Sequence, residues 1–481
     1  MILRVGLRLL ELYPTGAGQP SFELKLEATG PTVKVDEPKE SMSKRQDDRS
    51  GIAQLLCNLI PWASKSGFAM ADQGFISGSN FLLSILLARW MPADQYGAYA
   101  LAFSLFVLLS LVYLCMVLEP MAVFGGSVYR NRLGGYLKAL LWIHLLITLV
   151  IFLVLGVSSG AAALLGSAAG LSGALVGVTL ASPCVLLFWL ARRSFYLELS
   201  PASAALGAVL YVVVVLGGLG LIRWRGWLSP FTAFLPISGG ALLTCALLFY
   251  RLRPALRSSS VTVRTGEVWQ RHWRYGRWAL ASAVASWIPA FIYYPLLASV
   301  SGMAQSGEFK ALMNLVAPMQ QMQAALSMLF LPYASRIYTE QGREGASLIA
   351  ARLTLLSLAT ALLYWAVIIP AREPVFHLLY SGKYMEVSYL VPAIAVGSLL
   401  WSAVCGSSIV LRAMESPASV FVAFAASSVV SVAIGVPATR AYGIVGAVWV
   451  TNLADAGALL IVMLLLRRKI VSKPALLGAE G

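Results

Sequence analysis

The feature that most constrains this chain is a succession of apolar runs, each close to the roughly 20 residues that an α-helix needs to cross a bilayer. We count twelve from Gly67 onward, at residues 67–90, 98–118, 136–157, 171–190, 202–222, 231–250, 278–300, 309–333, 350–370, 389–411, 420–436 and 443–466. In lipid, every backbone polar group must be hydrogen-bonded within the protein, so such runs predict helices. The sequence therefore predicts an all-α, polytopic membrane protein with about twelve transmembrane helices.

The composition agrees with this prediction and excludes several classes of protein. Only 12% of residues are charged, against about 25% in soluble domains. The net charge of +15 comes from short basic clusters between apolar runs, a pattern that sets membrane topology and does not indicate a nucleic-acid partner. The five cysteines are widely spaced, and neither a H-E-x-x-H motif nor a phosphate-binding G-x-x-x-x-G-K-[ST] loop occurs. We therefore expect no metal, no cofactor and no ATP-driven motor.

The basic residues predict the orientation. Twenty Lys and Arg residues lie in the even-numbered loops and the C-terminus, and seven lie in the odd-numbered loops and their edges. By the positive-inside rule both termini are cytoplasmic. We call this the inner side and the opposite one the outer side.

The same charges suggest a domain organisation. Residues 251–277 hold seven arginines and are predicted to form a basic cytoplasmic linker. It would join an N-terminal six-helix lobe, 67–250, to a C-terminal one, 278–468, with a cytoplasmic tail at 469–481. Residues 1–50 have mixed charge and no apolar run, so we expect a disordered tail or a start site assigned too early, with Met42 as the alternative start. An interfacial helix is expected at 51–66.

The two halves resemble each other. MPADQYGAYALAFS at Met91 and SGMAQSGEFKALMN at Ser301 each place a glycine two residues before an aromatic, Gly97 matching Gly307. A shift of 210 residues superposes six-span units of equal orientation. This predicts two pseudo-symmetric lobes around a central cavity.

Polar side chains cluster in three spans and predict what lines that cavity. Gln73, Ser77, Asn80 and Ser84 are spaced i, i+4, i+7 and i+11, which places them in one stripe along a helix. The eighth span carries Asn314, Gln320, Gln321 and Gln323 around Pro318, and the twelfth carries Thr451, Asn452 and Asp455. We predict substrate contacts from Gln73, Asn80, Asn314, Gln321 and Asn452. Close packing with interhelical hydrogen bonds is the alternative, particularly for Ser77, Ser84 and Thr451.

Two acids lie within spans, where an ionised group costs about 2.5–3.5 kcal/mol at the bilayer centre, and a third directly follows the second span. They are Asp72, Glu119 and Asp455, which we predict to act in gating or ion coupling. From the repeat, we expect Asp72 to pair with Arg277 near the inner side. The alternatives are an acid in headgroup water at a helix start, favourable to the helix dipole, and a proton or sodium site.

Several motifs resemble those of a known family. They are SGSNFLLSILLARWMPADQYGAYALAFS at Ser77, LEPMAVFG at Leu118, SPCVLLFWLARRSFY at Ser182 and YGIVGAVWV at Tyr442. Over about residues 67–468 the chain resembles Wzx-type polysaccharide biosynthesis proteins of the multidrug/oligosaccharidyl-lipid/polysaccharide (MOP) flippase superfamily. These motifs are structural and not catalytic, so the resemblance implies a transporter with no enzyme activity.

The resemblance also implies a location, a substrate and partners. It implies a MATE-like fold in the bacterial inner membrane. The substrate would be an undecaprenyl-pyrophosphate-linked oligosaccharide, flipped from the cytoplasmic to the periplasmic leaflet for lipopolysaccharide O-antigen, capsule or exopolysaccharide assembly. Membrane lipids and other polysaccharide assembly proteins would be the further partners.

Arginines at the start of the seventh span are candidates for capturing such an anion. Arg271, Arg274 and Arg277 recur every three residues in QRHWRYGRW, along one side of a helix. We predict that they draw the diphosphate from the inner leaflet. The alternative is a role in topology together with contact to anionic phospholipids.

Two other functions compete with the flippase. A drug or organic-cation antiporter of the same superfamily would line its cavity with acids, and Asp72, Glu119 and Asp455 leave that interpretation open. A membrane polysaccharide polymerase or ligase would be expected to have a large outer loop with reactive side chains. The longest outer loop here, 371–388, is short, which disfavours an enzyme.

Overall fold

The structure, a computed structural model, describes residues 67–68, 70–166, 170–197, 200–258, 263–414 and 417–471. These residues belong to one compact unit, Pro61–Gly481. The tail predicted at 1–50, the interfacial helix predicted at 51–66 and residues 472–481 lie outside the described residues. The regular secondary structure of the described residues is helical throughout.

We number the helices α1 to α13 in chain order. They are residues 70–90 (α1), Ala93–Tyr113 (α2), Leu133–Leu164 (α3), Leu171–Leu197 (α4), Pro201–Trp224 (α5), Leu235–Ser258 (α6), Thr265–Phe291 (α7), Met303–Ile368, which Gly342 divides into α8 and α9, Arg372–Tyr380 (α10), Val391–Ala413 (α11), Pro417–Ala433 (α12) and Gly435–Val471 (α13). Three of them continue past an irregularity, and in α13 this is a kink at Gly443. α2 runs on through a π-helical turn, Leu114–Leu118, into Glu119–Gly125, and α7 bends by 41° into Tyr293–Val300.

The predicted spans coincide with these helices. All twelve predicted segments fall on helical residues, apart from short turns at their edges and at the bend of α7. Among the described residues, eight helices are long and apolar enough to cross a membrane, and α7 with its bent end makes a ninth. The predicted all-helical, polytopic fold is confirmed.

The helix faces at the periphery of the protein are apolar, as contact with lipid requires. Along α3, Trp142, Leu146, Leu149 and Leu153 follow one another at helical spacing, and each is more than half exposed. These side chains form a continuous stripe on one face. An apolar stripe of this kind faces lipid acyl chains in a membrane helix.

The helices pack in two groups. In the N-terminal group α4 packs against α2, α3, α5 and α6, and in the C-terminal group α11 packs against the α8–α9 helix, α12 and α13. Helix α7 contacts both groups: its first part packs on the π-helical turn and α3, and its bent end packs on α8 and α13. Much of the segment predicted as a linker is helical, since α6 reaches Ser258 and α7 begins at Thr265.

The two groups touch where α2 crosses α8. A Cβ atom on Gly97 would lie 1.8 Å from the carbonyl oxygen of Met303, and one on Gly307 would lie 2.2 Å from that of Ala93. Both contacts are too close for any side chain, so both positions require glycine. A shift of 210 residues converts one contact into the other, because Gly97 corresponds to Gly307 and Ala93 corresponds to Met303. Such reciprocal contacts are expected when two units are related by a two-fold axis. The glycines that revealed the repeat in the sequence thus meet at the crossing between the lobes.

The outer ends of the helices are closed by the loop that follows α10. Lys383 Nζ donates hydrogen bonds to the carbonyl oxygens of Arg89 and Met91, at 2.9 and 3.1 Å. The Tyr384 hydroxyl donates to the carbonyl oxygen of Ala88 at 3.3 Å. An ammonium group at a helix C-terminus satisfies carbonyls that lack an intrahelical partner and is favoured by the helix dipole. A C-terminal-lobe loop therefore caps the outer end of α1.

The predicted orientation leads to a direct test. A reporter inserted between Ser258 and Thr265 should behave as cytoplasmic, and one at Gly166, after α3, should behave as external, because the arginines around 251–277 hold that segment inside. Paired alkaline phosphatase and fluorescent-protein fusions measure this. Reversed activities at both positions would overturn the assignment of sides.

Candidate functional site

The polar stripe of α1 lies against α8, and we call this contact the polar seam. Gln73 Nε2 donates to Ser77 Oγ at 3.2 Å, and Ser77 Oγ donates to Gln321 Oε1 at 3.0 Å. Gln73, Asn80 and Gln321 are exposed, so the inner part of the seam lies at the protein surface. The structure thus brings together polar residues that the sequence placed on two separate spans.

The outer end of the seam is a buried ring of three hydrogen bonds. Ser84 Oγ donates to Asn314 Oδ1 at 2.9 Å, and Asn314 Nδ2 donates to the Tyr96 hydroxyl oxygen at 3.0 Å. Because Ser84 has a single hydroxyl proton, the Tyr96 hydroxyl donates the third bond, to Ser84 Oγ at 2.9 Å. The ring ties α1 and α2 of one lobe to α8 of the other and closes the seam on the outer side.

Asp72 is fully buried and forms an ion pair within the N-terminal lobe. Arg192 on α4 donates to its Oδ2 from Nη2 at 2.7 Å and from Nε at 3.2 Å, and the Tyr196 hydroxyl donates to the same oxygen. The sequence predicted an arginine partner but selected Arg277. The structure corrects that prediction to Arg192, because α4 is packed within the same lobe as α1 and presents its guanidinium at the depth of Asp72. Asp72 Oδ1 is buried without a hydrogen-bond partner among the described residues.

The three predicted capture arginines lie on the first turns of α7. Arg271, Arg274 and Arg277 are all exposed. Arg271 Nη2 lies 3.9 Å from Glu267 Oε1, and its guanidinium lies 5.9 Å from the centre of the Phe124 ring. An exposed pair of this kind contributes about 0–1 kcal/mol, so it is readily exchanged for another anion.

The inner ends of α1, α2, α4 and α7 carry more positive than negative charge. Glu119, half-buried on the continuation of α2, lies close enough to Arg193 for the two charges to interact. Together these four inner ends hold five arginines and three acids, namely Arg192, Arg193, Arg271, Arg274 and Arg277 against Asp72, Glu119 and Glu267. Among the described residues, these four inner ends, which we call the inner mouth, therefore have an excess of two positive charges.

A hydrogen bond holds the start of α7 against the N-terminal lobe. Its acceptor is a backbone carbonyl group that a proline leaves without its usual helical donor. In a regular helix the N–H of residue 120 would bond to the carbonyl of Met116, but Pro120 has no N–H. The N–H of the preceding residue, Glu119, bonds to the carbonyl of Leu114, five residues back, as in a π-helix. The carbonyl oxygen of Met116 accepts from His272 Nδ1 at 2.8 Å.

The tautomer of His272 follows from this contact. Because Nδ1 donates, the neutral ring accepts at Nε2, and the Tyr136 hydroxyl donates to it at 2.8 Å. Burial lowers the pKa of His272 to about 4, so the ring is neutral at pH 7. One turn on, a Cβ atom on Gly276 would lie 2.5 Å from the carbonyl oxygen of Cys115. These contacts hold α7 in place and so orient the arginines that flank His272.

The remaining predicted residues lie inside the C-terminal lobe. Gln323 donates to Ser402 Oγ at 3.1 Å. Asn452 Nδ2 donates to the carbonyl oxygen of Ala393 at 2.8 Å, and Thr451 bonds back to its own helix. Half-buried Asp455 lies one turn from Asn452, beside Gly397 of α11. Asn452 and Asp455 therefore form a second polar location on α13, packed against α11.

Sequence reasoning missed three residues of the site. Arg192 and Lys310 were counted only as charges that set topology, and Tyr96 was noted only as part of the repeated motif that begins at Met91. The sequence did carry a signal for Lys310, because it precedes Asn314 by one helical turn and Gln321 by three. Arg192 and Tyr196 are likewise spaced one turn apart on α4.

Comparison with known proteins identifies the fold. No protein-family model matches the chain, and no curated protein matches its sequence. Among solved structures, an inward-facing multidrug resistance MATE family transporter of the MOP superfamily superposes with a TM-score of 0.68 at 14% identity, covering 83% of this chain and 94% of that one. The lipid II flippase MurJ, in an inward closed conformation, gives 0.63 at 12% identity, over 83% and 87% of the two chains.

These likenesses establish the class of fold. At such identities they show that the chain has the two-lobe helical fold found in MOP superfamily transporters. An outward-facing MATE family transporter gives a lower TM-score, 0.59 at 13% identity, over 84% of this chain and 94% of that one.

Proposed function

We propose that this protein is a secondary transporter of the bacterial inner membrane that flips an undecaprenyl-pyrophosphate-linked oligosaccharide outward. The product would serve surface polysaccharide assembly, as O-antigen, capsule or exopolysaccharide. The observation that carries the proposal is the excess of arginine at the inner mouth of the seam, because a lipid diphosphate is an anion and an organic cation would be repelled there. The similarity to both MATE and MurJ structures supports a transport role.

Charged residues and hydrogen-bonding residues have separate roles in binding the substrate. The exposed arginines of α7 capture the diphosphate at the inner leaflet, where a guanidinium binds phosphate oxygens in a bidentate manner. Gln73, Asn80 and Gln321 then offer amide groups to the sugar hydroxyls along the open part of the seam. The ring of Ser84, Tyr96 and Asn314 closes the outer end until the lobes rearrange.

The membrane potential supplies a driving force without a nucleotide. Moving about two negative charges outward across roughly 100 mV, inside negative, is favourable by about 4.6 kcal/mol. Exchange with protons or sodium is compatible with the same architecture. In that case Asp72 and Asp455 are the acids available for coupling.

A cation antiporter is the second candidate function, and Asp455 is the observation that favours it. This half-buried carboxylate lies within a lobe whose fold resembles that of a multidrug transporter. An antiporter of this kind would bind hydrophobic cations such as rhodamine dyes. It would not respond to a lipid diphosphate.

Transport of a labelled lipid distinguishes the two functions. In proteoliposomes, the wild-type protein should flip a fluorescent polyprenyl diphosphate oligosaccharide, and the double variant Arg274→Gln/Arg277→Gln should do so about tenfold more slowly or worse, because two charge-assisted contacts are lost. The double variant Arg467→Gln/Arg468→Gln is the control, since these exposed arginines lie at the far end of α13. Equal rates for the two double variants would favour a purely topological role for the α7 arginines. Dye transport without lipid flipping would establish the antiporter.

A further inference from the structure

Lys310 continues the polar seam beyond the residues described so far. On α8 it precedes Asn314 by four residues and Gln321 by eleven, so the three lie on one face of the helix. Asn314 and Gln321 both contact α1 across the seam. Lys310 lies about 6 Å of helix rise outward of Asn314 and three residues inward of Gly307 at the α2–α8 crossing. It therefore lies between the ring that closes the outer end of the seam and the crossing of α2 with α8.

The ammonium group of Lys310 has an aromatic neighbour and no acidic one. Its Nζ lies 5.9 Å from the centre of the Phe103 ring on α2 of the opposite lobe. Among the described residues the ion pairs are Asp72–Arg192, Glu267–Arg271 and Arg336–Glu340, none of which involves Lys310. Lys310 is half-buried, and a lysine that is withdrawn from solvent is usually paired with a counter-ion. An ionisable side chain at such a position in a membrane protein marks a ligand path.

The contact with Phe103 argues against simple snorkelling to the outer headgroups. Phe103 is six residues inward of Gly97, which is the α2 residue at the crossing, whereas Lys310 is three residues inward of Gly307. The ammonium group thus contacts the ring of a residue that lies three positions further inward of the crossing than Lys310 does. A snorkelling lysine would extend outward, past the crossing.

We infer that Lys310 is an anion-binding residue that receives the diphosphate of the lipid substrate at the outer end of the seam. The inference rests on the proposed function and adds a second positive position to it, opposite the arginines of the inner mouth. Three N–H donors of the ammonium group bind phosphate oxygens, and the contact with the Phe103 ring is exchanged for them. The anion is captured at α7, passes the amides of the seam and, once the ring of Ser84, Tyr96 and Asn314 has opened, is bound by Lys310 beneath the crossing.

Binding at this position also couples the substrate to the crossing. Lys310 belongs to α8 and Phe103 to α2, the two helices that must separate for the outer side to open. A diphosphate on Lys310 removes the cation–π contact that joins the two lobes there. Substrate arrival therefore loosens the outer closure.

The test measures binding of a defined anion to the full chain in detergent. The probes are geranylgeranyl diphosphate and the uncharged alcohol geranylgeraniol. Lys310→Gln should weaken binding of the diphosphate by about tenfold or more, because a hydrogen-bonded charge is lost. It should leave binding of the alcohol unchanged. Lys469→Gln, the same substitution at an exposed position on α13, should alter neither.

A chemical rescue separates charge from folding. In a background whose five native cysteines are replaced by alanine, Lys310→Cys should bind the diphosphate weakly. Treatment with 2-aminoethyl methanethiosulfonate attaches an ammonium group through a disulfide and should restore binding, whereas methyl methanethiosulfonate should not. Equal rescue by both reagents would overturn the role of the charge.

The remaining outcomes separate this inference from the proposed function. Wild-type protein that binds the diphosphate no better than the alcohol would overturn both. Wild-type protein that prefers the diphosphate, with Lys310→Gln binding it equally well, would overturn the assignment of Lys310 alone.

Discussion

Replacing Asp72 with asparagine is expected to destabilise the protein by about 3–5 kcal/mol, because it leaves the Arg192 guanidinium largely buried without its counter-ion. The Asp72 side chain is fully buried and that of Arg192 is 13% exposed. The pair is held by two hydrogen bonds from the guanidinium and one from Tyr196. Unfolding in detergent, followed by intrinsic fluorescence against a denaturant, measures the change.

The size of the effect depends on burial, and the chain offers a matched control. Arg336 and Glu340 form an ion pair with an N–O distance of 2.6 Å, but both side chains are exposed. Glu340→Gln should therefore cost at most about 1 kcal/mol. Replacing both partners of the buried pair, in Asp72→Leu/Arg192→Met, should recover much of the loss from Asp72→Asn, since no uncompensated charge remains. Similar losses for Asp72→Asn and Glu340→Gln would contradict the burial argument.

A charge exchange decides between the two arginines proposed as partners. Asp72→Arg should abolish transport, and adding Arg192→Asp should restore a measurable part of it, because the pair is re-formed in the opposite sense. Adding Arg277→Asp in its place should restore nothing. Recovery with Arg277 and not with Arg192 would support the pairing predicted from the sequence.

The two arginines show where sequence reasoning reaches its limit. Helical periodicity assigns a residue to a face of its own helix, which is why Gln73, Ser77 and Ser84 were correctly placed in one stripe. It does not say how neighbouring helices are rotated about their axes. Asp72 had arginines available at a similar depth on α4 and α7, and only packing selects α4.

Long-range pairings were predictable where the sequence repeats itself. The match of Gly97 with Gly307 identified the two positions that meet at the crossing, because a two-fold relation brings equivalent residues together at the axis. The contact between His272 and Met116 has no such signal. Pro120 shows that a carbonyl group in the preceding turn lacks its usual helical donor. The neighbouring sequence does not indicate that a side chain of α7 supplies the replacement donor.

The largest functional effect is expected from adding one methyl group at the crossing of α2 and α8. A Cβ atom on Gly97 or on Gly307 would lie 1.8 or 2.2 Å from a backbone carbonyl oxygen of the opposite helix. Backbone atoms cannot move aside as a flexible side chain does, so the two helices must separate. Gly97→Ala and Gly307→Ala should each open the outer side and disfavour the state in which it is closed.

The expected magnitude follows from the cost of overpacking. Forcing an extra methyl group into a close contact costs about 1–3 kcal/mol, which changes the ratio of closed to open states by about 5- to 150-fold. Because the two contacts are related by the repeat, the two variants should have similar effects. Gly217→Ala on α5 is the control, since a Cβ atom there meets nothing within 4 Å.

Distances between spin labels on the outer ends of the lobes report this shift directly and require no knowledge of the substrate. Arg225→Cys after α5 and Tyr442→Cys beside the kink of α13 at Gly443 are exposed positions, one on each lobe. In the cysteine-free background, Gly97→Ala and Gly307→Ala should each increase the population with the longer label separation, and Gly217→Ala should match the parent protein. An unchanged distance distribution in both crossing variants would show that the outer side opens without separating α2 from α8. An effect in Gly97→Ala but not in Gly307→Ala would show that the two contacts do not contribute equally to closing the outer side.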